Sequence, residues 1–259
     1  WGAKFNMILL AVSTGIIVSL IPNLTQSVVA KDWEDINKKI NQALSILLFF
    51  TIPMTMGISF IAEDIWMVFY GASEYGPSVL SYFIFVGFMI GLFTSIVSIV
   101  QVLKDYKTVI FSLFVGVVLK FLLNDNLITA FYQMGLPAYY GVITASLIGY
   151  FISFLICVVQ LKIKYRINYE HTSKNFVDII CGSMLMSIVL FIIHFLLPST
   201  DSRIVSFFYI FIYVLFGAAI YFVYMWYSRS VNRIFGDRIS KYLKKRKKSI
   251  IFFHKKYQV

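Results

Sequence analysis

The sequence predicts an all-α integral membrane protein of about seven transmembrane helices, and three observations carry that prediction. Hydrophobic residues make up 59% of the 259-residue chain and charged residues only 14%, with a mean hydropathy of +0.81. A water-soluble domain keeps about a quarter of its residues charged. The apolar residues gather into runs long enough for a hydrocarbon core of about 30 Å. The Lys and Arg residues collect in every second connection between those runs.

The first run, Phe5–Leu24, is expected to close at Leu20-Ile21-Pro22-Asn23-Leu24, because a proline ring strains the turn before it and supplies no N–H. A charged connector follows from Lys31 to Gln42. Within it Trp33, Ile36, Ile40 and Leu44 recur at helical spacing, giving a small amphipathic helix an apolar face to lay on the membrane or the helix ends. Glu34 with Lys38 and Asp35 with Lys39 stand four apart, acidic residue first, the order that supports a helix. This helix either stiffens a loop or docks a partner. Ala43–Ala62 is the second run, with its own Ile52-Pro53. Val79–Val100 carries Gly87, Gly91 and Ser95 four apart. Thr108–Leu127 follows, and then Tyr139–Val159 with Gly141, Ala145, Gly149 and Ser153 in a row. Such rows let helix backbones approach closely in lipid. Phe176–Leu197 and Ile204–Tyr227 lack them. The last run is instead crowded with aromatic residues, Phe207, Tyr213, Phe216, Tyr221 and Trp226 among them, so this pair is expected to face lipid or something lipid-like.

Orientation follows from charge. One set of connections holds Lys31, Lys38 and Lys39, then Lys104 and Lys107, then Lys162, Lys164, Arg166 and Lys174. The segment after Tyr227 adds Arg229, Arg233 and a dense basic run. The alternate connections carry Glu63, Asp64, Glu74, Asp125 and Asp201, with Arg203 alone in opposition. The positive-inside rule makes the first set cytoplasmic, the tail included. The formal charge of +11 therefore reads as topology signal and anionic-lipid contact, not as a nucleic-acid surface. The chain opens on Trp1 and shows no charged leader or small-residue cleavage site, so a fragment without its N-terminal part is expected.

No catalytic constellation is visible. Cys157 and Cys181 fall in or beside apolar runs, where a thiol behaves as a small hydrophobe. The three histidines are scattered, and the spacings of metal sites, phosphate loops and nucleophile elbows are missing. Neither a metal nor a cofactor is expected. Glu63-Asp64, outward in this topology, is the one foothold for a membrane enzyme acting on polyprenyl-linked sugars; an interfacial stop to the span is the alternative. More informative are the polar residues in the spans, since a charge at membrane depth is costly unless it faces protein or water. Lys120 interrupts a run of Val and Leu, with Asn124 one turn on and on the same face; Lys4 and Asn6 stand at the outer end of the first span. Both lysines are placed within reach of the outer headgroups, so snorkelling and a cavity-lining role stand side by side. These four are the candidate substrate-binding residues.

Ser19-Leu-Ile-Pro22-Asn-Leu-Thr-Gln-Ser27, the Lys31–Asn41 connector and Ile52-Pro53 resemble the eighth and ninth helices of polysaccharide and lipid II flippases, with the MurJ/SpoVB group of the MOP exporter superfamily the nearest in pattern. Leu119-Lys120-Phe-Leu-Leu-Asn124 and Gly141-Val-Ile-Thr-Ala-Ser-Leu-Ile-Gly149-Tyr150 are similar to its eleventh and twelfth. The resemblance covers nearly the whole chain through diffuse motifs. It implies a two-lobe, alternating-access transporter of about fourteen helices, of which residues 1–160 would be second-lobe helices and 161–227 two additional C-terminal helices, with 228–259 a basic cytoplasmic tail. The missing N-terminal lobe of the same protein would be its partner. The two extra helices set the group apart from the MATE-like drug exporters, which stop at twelve, and in the resembling proteins they line a groove for a polyprenyl tail. The implied function is flipping an undecaprenyl-linked cell-wall precursor (lipid II-like), or a capsule or teichoic-type oligosaccharide, from the inner to the outer leaflet of a bacterial plasma membrane. Where the family's eighth helix often carries a cavity arginine, this chain offers Lys4, which lacks the bidentate fork.

Overall fold

The computed structural model describes residues 3–198, 200 and 202–236. Its helices in chain order are α1 (Ala3–Ala30), α2 (Trp33–Phe60), α3 (Ala62–Tyr70), α4 (Gly76–Val102), α5 (Tyr106–Gln133), α6 (Tyr139–Tyr165), α7 (Glu170–Leu196), α8 (Arg203–Tyr227) and α9 (Ser230–Phe235). All but α3 and α9 are long and apolar enough to cross a membrane, giving seven candidate spans. The part of the basic tail beyond Gly236 lies outside the described residues.

Each long helix outruns the apolar window that announces it. At 25 to 28 residues these helices measure roughly 40 Å, so their polar end turns stand clear of the hydrocarbon. This corrects the expected break at Pro22, because α1 continues through the proline to Ala30. Proline survives in a membrane helix where side chains and neighbouring helices supply the local hydrogen bonding. Pro22 leaves the Val18 carbonyl without its helical donor, and the turns beside it are steadied by Thr25 Oγ1 donating to Ile21 O at 2.9 Å and by Lys39 Nζ reaching across from α2 to Asn23 O at 2.8 Å. The true end comes at Lys31, which turns with φ 56°, and Asp32 caps α2 by accepting from Asp35 N at 3.0 Å. The amphipathic connector is therefore no separate helix but the first turns of α2. Its apolar residues Ile36 and Ile40 are fully buried under α1 and α4. Of the two expected ion pairs, Asp35–Lys39 forms at 2.7 Å.

α4 is the centre of the molecule: 56% of its apolar window is buried, against 22% for α1, α5 and α8. The small-residue rows do the packing. A Cβ on Gly87 would meet the Asn6 side chain at 2.7 Å and one on Gly91 would meet Ser13 Oγ at 2.5 Å, so α1 lies directly on α4. On the other flank Gly116 of α5 and Gly149 of α6 bring two backbones together, and Ser153 Oγ donates to Ser112 O at 2.9 Å. The α7–α8 pair docks on α2 rather than on α6. An amide chain fastens it at the basic end: Asn41 Nδ2 donates to Asn168 O at 2.7 Å, Thr172 Oγ1 to Asn41 Oδ1 at 2.7 Å, and Asn175 Nδ2 to Ser45 Oγ at 3.0 Å. Asp178 pairs with Arg233 of α9 beside it. At the acidic end α3 wedges between α4 and α8.

Candidate functional site

An apolar groove of about 330 Å³ runs between α2, α7 and α8. It exists because small residues, Gly57 on α2 and Gly217 and Ala218 on α8, face one another where large ones would close the gap. Its aromatic wall is set by one consequence of a proline. Pro53 has no N–H, so the carbonyl of Phe49, four residues earlier, loses its helical partner. Tyr221 OH of α8 donates to that carbonyl at 2.7 Å, deep in the bundle, which locks α8 at a fixed height on α2 and sets the Phe49 and Tyr221 rings 5.4 Å apart at a tilt of 55°. The rest of α7 and α8 presents large apolar side chains outward, Phe195, Phe207, Phe211 and Trp226 among them. Isolated glycines serve the α7–α8 contact in place of a row: Gly182 sits under Tyr221 and Tyr224, and Gly217 under Leu190 and Met186. Tyr221 is the residue that sequence reasoning missed. A proline inside a buried helix was its signal, since the orphaned carbonyl demands a donor.

The groove's end near the acidic α3 meets a polar pocket of about 230 Å³, with Tyr213 in both walls. Glu63 and Asp64 enter it from α3, His194 from α7, and Ser206, Tyr209 and Tyr213 from α8. His194 Nδ1 lies 3.2 Å from Tyr213 OH. Burial pushes the Asp64 carboxyl above its ordinary 3.8; a hydrogen bond from Ser206 opposes that, the neighbouring Glu63 charge adds to it and His194 opposes it. A carboxyl raised on docking favours the docked state below its ordinary pKa, and that contribution is lost as pH rises through the raised value. α3 should therefore hold α8 more tightly in mild acid than at neutral pH. In hydrogen exchange corrected for intrinsic rates, residues 62–70 are expected to gain protection as pH falls, and Asp64→Asn to show high protection throughout. The same pH slope in Asp64→Asn and in the parent would contradict it. Among the described residues no group of three His, Cys, Asp or Glu is arranged to hold a metal ion, so Glu63-Asp64 has no metal-site geometry around it.

The four candidate substrate residues do not form one cluster. Lys4 is exposed on the first turn of α1, while Asn6 is buried against Gly87 of α4, its Oδ1 accepting no hydrogen bond. Lys120 and Asn124 stand on α5, whose backbone, among the described residues, stays more than 8 Å from that of α1, Cα to Cα. Lys120 is exposed and its Cβ leans on Gly149. Asn124 Nδ2 points at Asp125 Oδ1 at 3.4 Å. Here the sequence reading of depth needs correction: α5 runs on to Gln133 rather than ending near Leu127, so Lys120 lies at the middle of its helix, not five residues from the outer loop.

Seven candidate spans, α4 the most buried of them, with an apolar groove at one side, define a multi-pass helical membrane protein. The family model described as lipid II flippase MurJ matches residues 5–215, and the chain belongs to that family, one of transporters rather than enzymes. The lipid II flippase MurJ of Bacillus subtilis (strain 168) is 28% identical over 250 residues, covering 93% of this chain and 45% of its own length. A solved structure, lipid II flippase MurJ in an inward closed conformation, aligns with a TM-score of 0.66 at 21% identity, over 89% of this chain and 46% of that one. The chain thus spans a little under half the length of these relatives.

Proposed function

We propose that this chain works as the second lobe and the two C-terminal helices of a flippase that carries lipid II, the polyprenyl-linked peptidoglycan precursor, from the inner to the outer leaflet. The observation that carries the reading is the family match across six of the seven spans and part of the seventh, joined to an apolar groove built by the added pair α7–α8. In this reading residues 1–160 rock against a first lobe by alternating access, α7 and α8 take the prenyl tail, and the basic segment after Tyr227 sits on anionic lipids at the cytoplasmic face of the plasma membrane. Lys120 and Asn124, with Lys4 at the outer end, face the other lobe and the pyrophosphate, while Asn6, buried against Gly87, serves the α1–α4 contact.

Two experiments test it. Cysteines placed at Ser73 and Gln133 should react with an impermeant thiol reagent from outside, and cysteines at Asn37 and Ser173 only after permeabilisation. The reverse pattern overturns the orientation and with it the direction of transport. In a strain depleted of its lipid II flippase, the complete protein should restore growth, whereas residues 1–259 alone should insert without doing so. Failure of the complete protein would sink the cargo assignment, and rescue by the 1–259 segment would sink the two-lobe mechanism.

A further inference from the structure

α6 and α7 follow one another through a connection of four residues, 166–169, yet among the described residues their backbones stay more than 8 Å apart, Cα to Cα. Between them lies a second crevice, of about 350 Å³, floored by Leu48 of α2 and Leu92 of α4. Phe151, Phe154 and Val158 form the α6 wall, with Phe176 opposite on α7. It is distinct from the groove beside α8. That groove meets α7 at Met186 and Leu190, this crevice at Thr172, Ser173 and Phe176, nearer the basic end of the same helix.

What covers the crevice is indicated by the charges at its mouth. The α6 wall continues by helical spacing from Phe154 through Val158 to Lys162, and the chain turns directly afterwards at Arg166, whose φ is 54°. The neighbouring cations are already matched, Lys164 by Asp105 at 2.9 Å and Lys174 by Glu170 at 2.7 Å. Lys162 and Arg166 have no acidic partner among the described residues, and both are exposed. Of the hydroxyls at the lip, Tyr169 OH is committed to Val158 O at 3.1 Å and Thr172 to Asn41, while Ser173 is exposed. An apolar slot with Ser173 in its lining, and with two exposed, uncompensated cations within about two turns beyond Val158 along the chain, matches an acyl chain joined to a phosphate.

We propose that the crevice between α6 and α7 binds one anionic phospholipid of the cytoplasmic leaflet, its acyl chain against Phe154 and Phe176 and its phosphate at Lys162, Arg166 and Ser173. The lipid fills the space that the two helices leave and wedges the C-terminal pair against the rest of the bundle. The leaflet rests on the orientation proposed above; the anion preference does not.

The complete protein in nanodiscs of phosphatidylcholine tests this, with Phe151→Trp as a reporter at the deep end of the α6 wall and Phe176→Trp as a second reporter on α7. Phosphatidylglycerol with brominated acyl chains, at low mole fraction, should quench the added tryptophan saturably, whereas brominated phosphatidylcholine quenches only in proportion to its abundance. Lys162→Gln combined with Arg166→Asn, a residue that tolerates the left-handed turn, should raise the half-saturating fraction roughly 25-fold, about fivefold for each lost cation. A polyprenyl phosphate equimolar with the protein should leave the quenching unchanged. Equal, proportional quenching by both brominated lipids would mean bulk lipid only and would overturn the site. Displacement by the polyprenyl phosphate would hand the crevice to the cargo instead and equally overturn it, while leaving the flippase reading intact.

Discussion

Lys120→Gln in the complete protein is expected to lower transport of the lipid-linked substrate roughly tenfold or more, the loss that follows from deleting one charged hydrogen-bonding group, while expression and insertion stay normal. The argument begins with depth. α5 has 28 residues, and Lys120 stands 13 positions before Gln133, about 20 Å of helix rise. If the helix protrudes equally at both ends, the residue lies roughly 15 Å below the outer edge of the hydrocarbon. A lysine stem of four carbons does not reach the headgroups from there. A charge held at that depth costs several kcal/mol against lipid, so an exposed Lys120 belongs to a face covered by protein or water in the complete molecule. In the two-lobe arrangement proposed above, its positive potential would draw an anionic headgroup to the space between the lobes. Lys120→Arg keeps the charge with a different geometry and should retain part of the activity. Transport by Lys120→Leu at the parent rate would show that the charge plays no part.

The depth of Lys120 also marks where the sequence stopped being legible. The number of spans and the alternation of basic connections follow from hydropathy alone, because lipid leaves the backbone few alternatives to a helix. The ends did not follow. Asn124 and Asp125 look like the approach to a loop, but in a helix longer than the bilayer they are simply polar turns of α5, with Thr129 Oγ1 donating to Asp125 O at 2.9 Å inside the helix. Pro22 misleads for a related reason, since the hydrogen bond that steadies the next turn comes from Lys39, on a different helix. α3 was hidden because its nine residues straddle the end of one apolar run and the acidic connection after it. The glycine rows were legible as packing surfaces, though not their partners: pairing Gly87 with Asn6 or Gly116 with Ser153 needs the three-dimensional order of the helices. The Tyr221–Phe49 bond, spanning 172 residues, had a readable cause in Pro53 and an unreadable donor.

Gly149→Leu is expected to detach α5 from α6 and to abolish function by that route, with Gly149→Ala showing a partial effect. A Cβ at 149 would stand 2.8 Å from Gly116 O and 3.3 Å from Lys120 Cβ, and one at 116 would stand 2.7 Å from Gly149 O. At 149 the first obstacle is a backbone carbonyl, and at 116 the Gly149 carbonyl stands directly behind the Ser153 hydroxyl; a carbonyl yields only if a whole helix shifts. Overpacking of this kind costs about 1–3 kcal/mol even where side chains can adjust. In lipid, moreover, close van der Waals packing is what holds helices together, because hydrophobic burial contributes little between them. α5 rests almost entirely on α6, with a lesser contact to α4, so among the described residues little besides α6 holds it in place. The displacement can be read directly. Cys157 Sγ lies 3.3 Å from Ser112 Oγ across this interface, so Ser112→Cys should cross-link to Cys157 under a membrane-permeant oxidant. Adding Gly149→Leu should suppress that cross-link, whereas Gly15→Ala, at a site with nothing within 4 Å, should leave it unchanged. Undiminished cross-linking in Gly149→Leu would mean that α5 and α6 are not held at backbone distance. Because Lys120 leans on Gly149, the same variant should reproduce the transport loss of Lys120→Gln with the lysine still present.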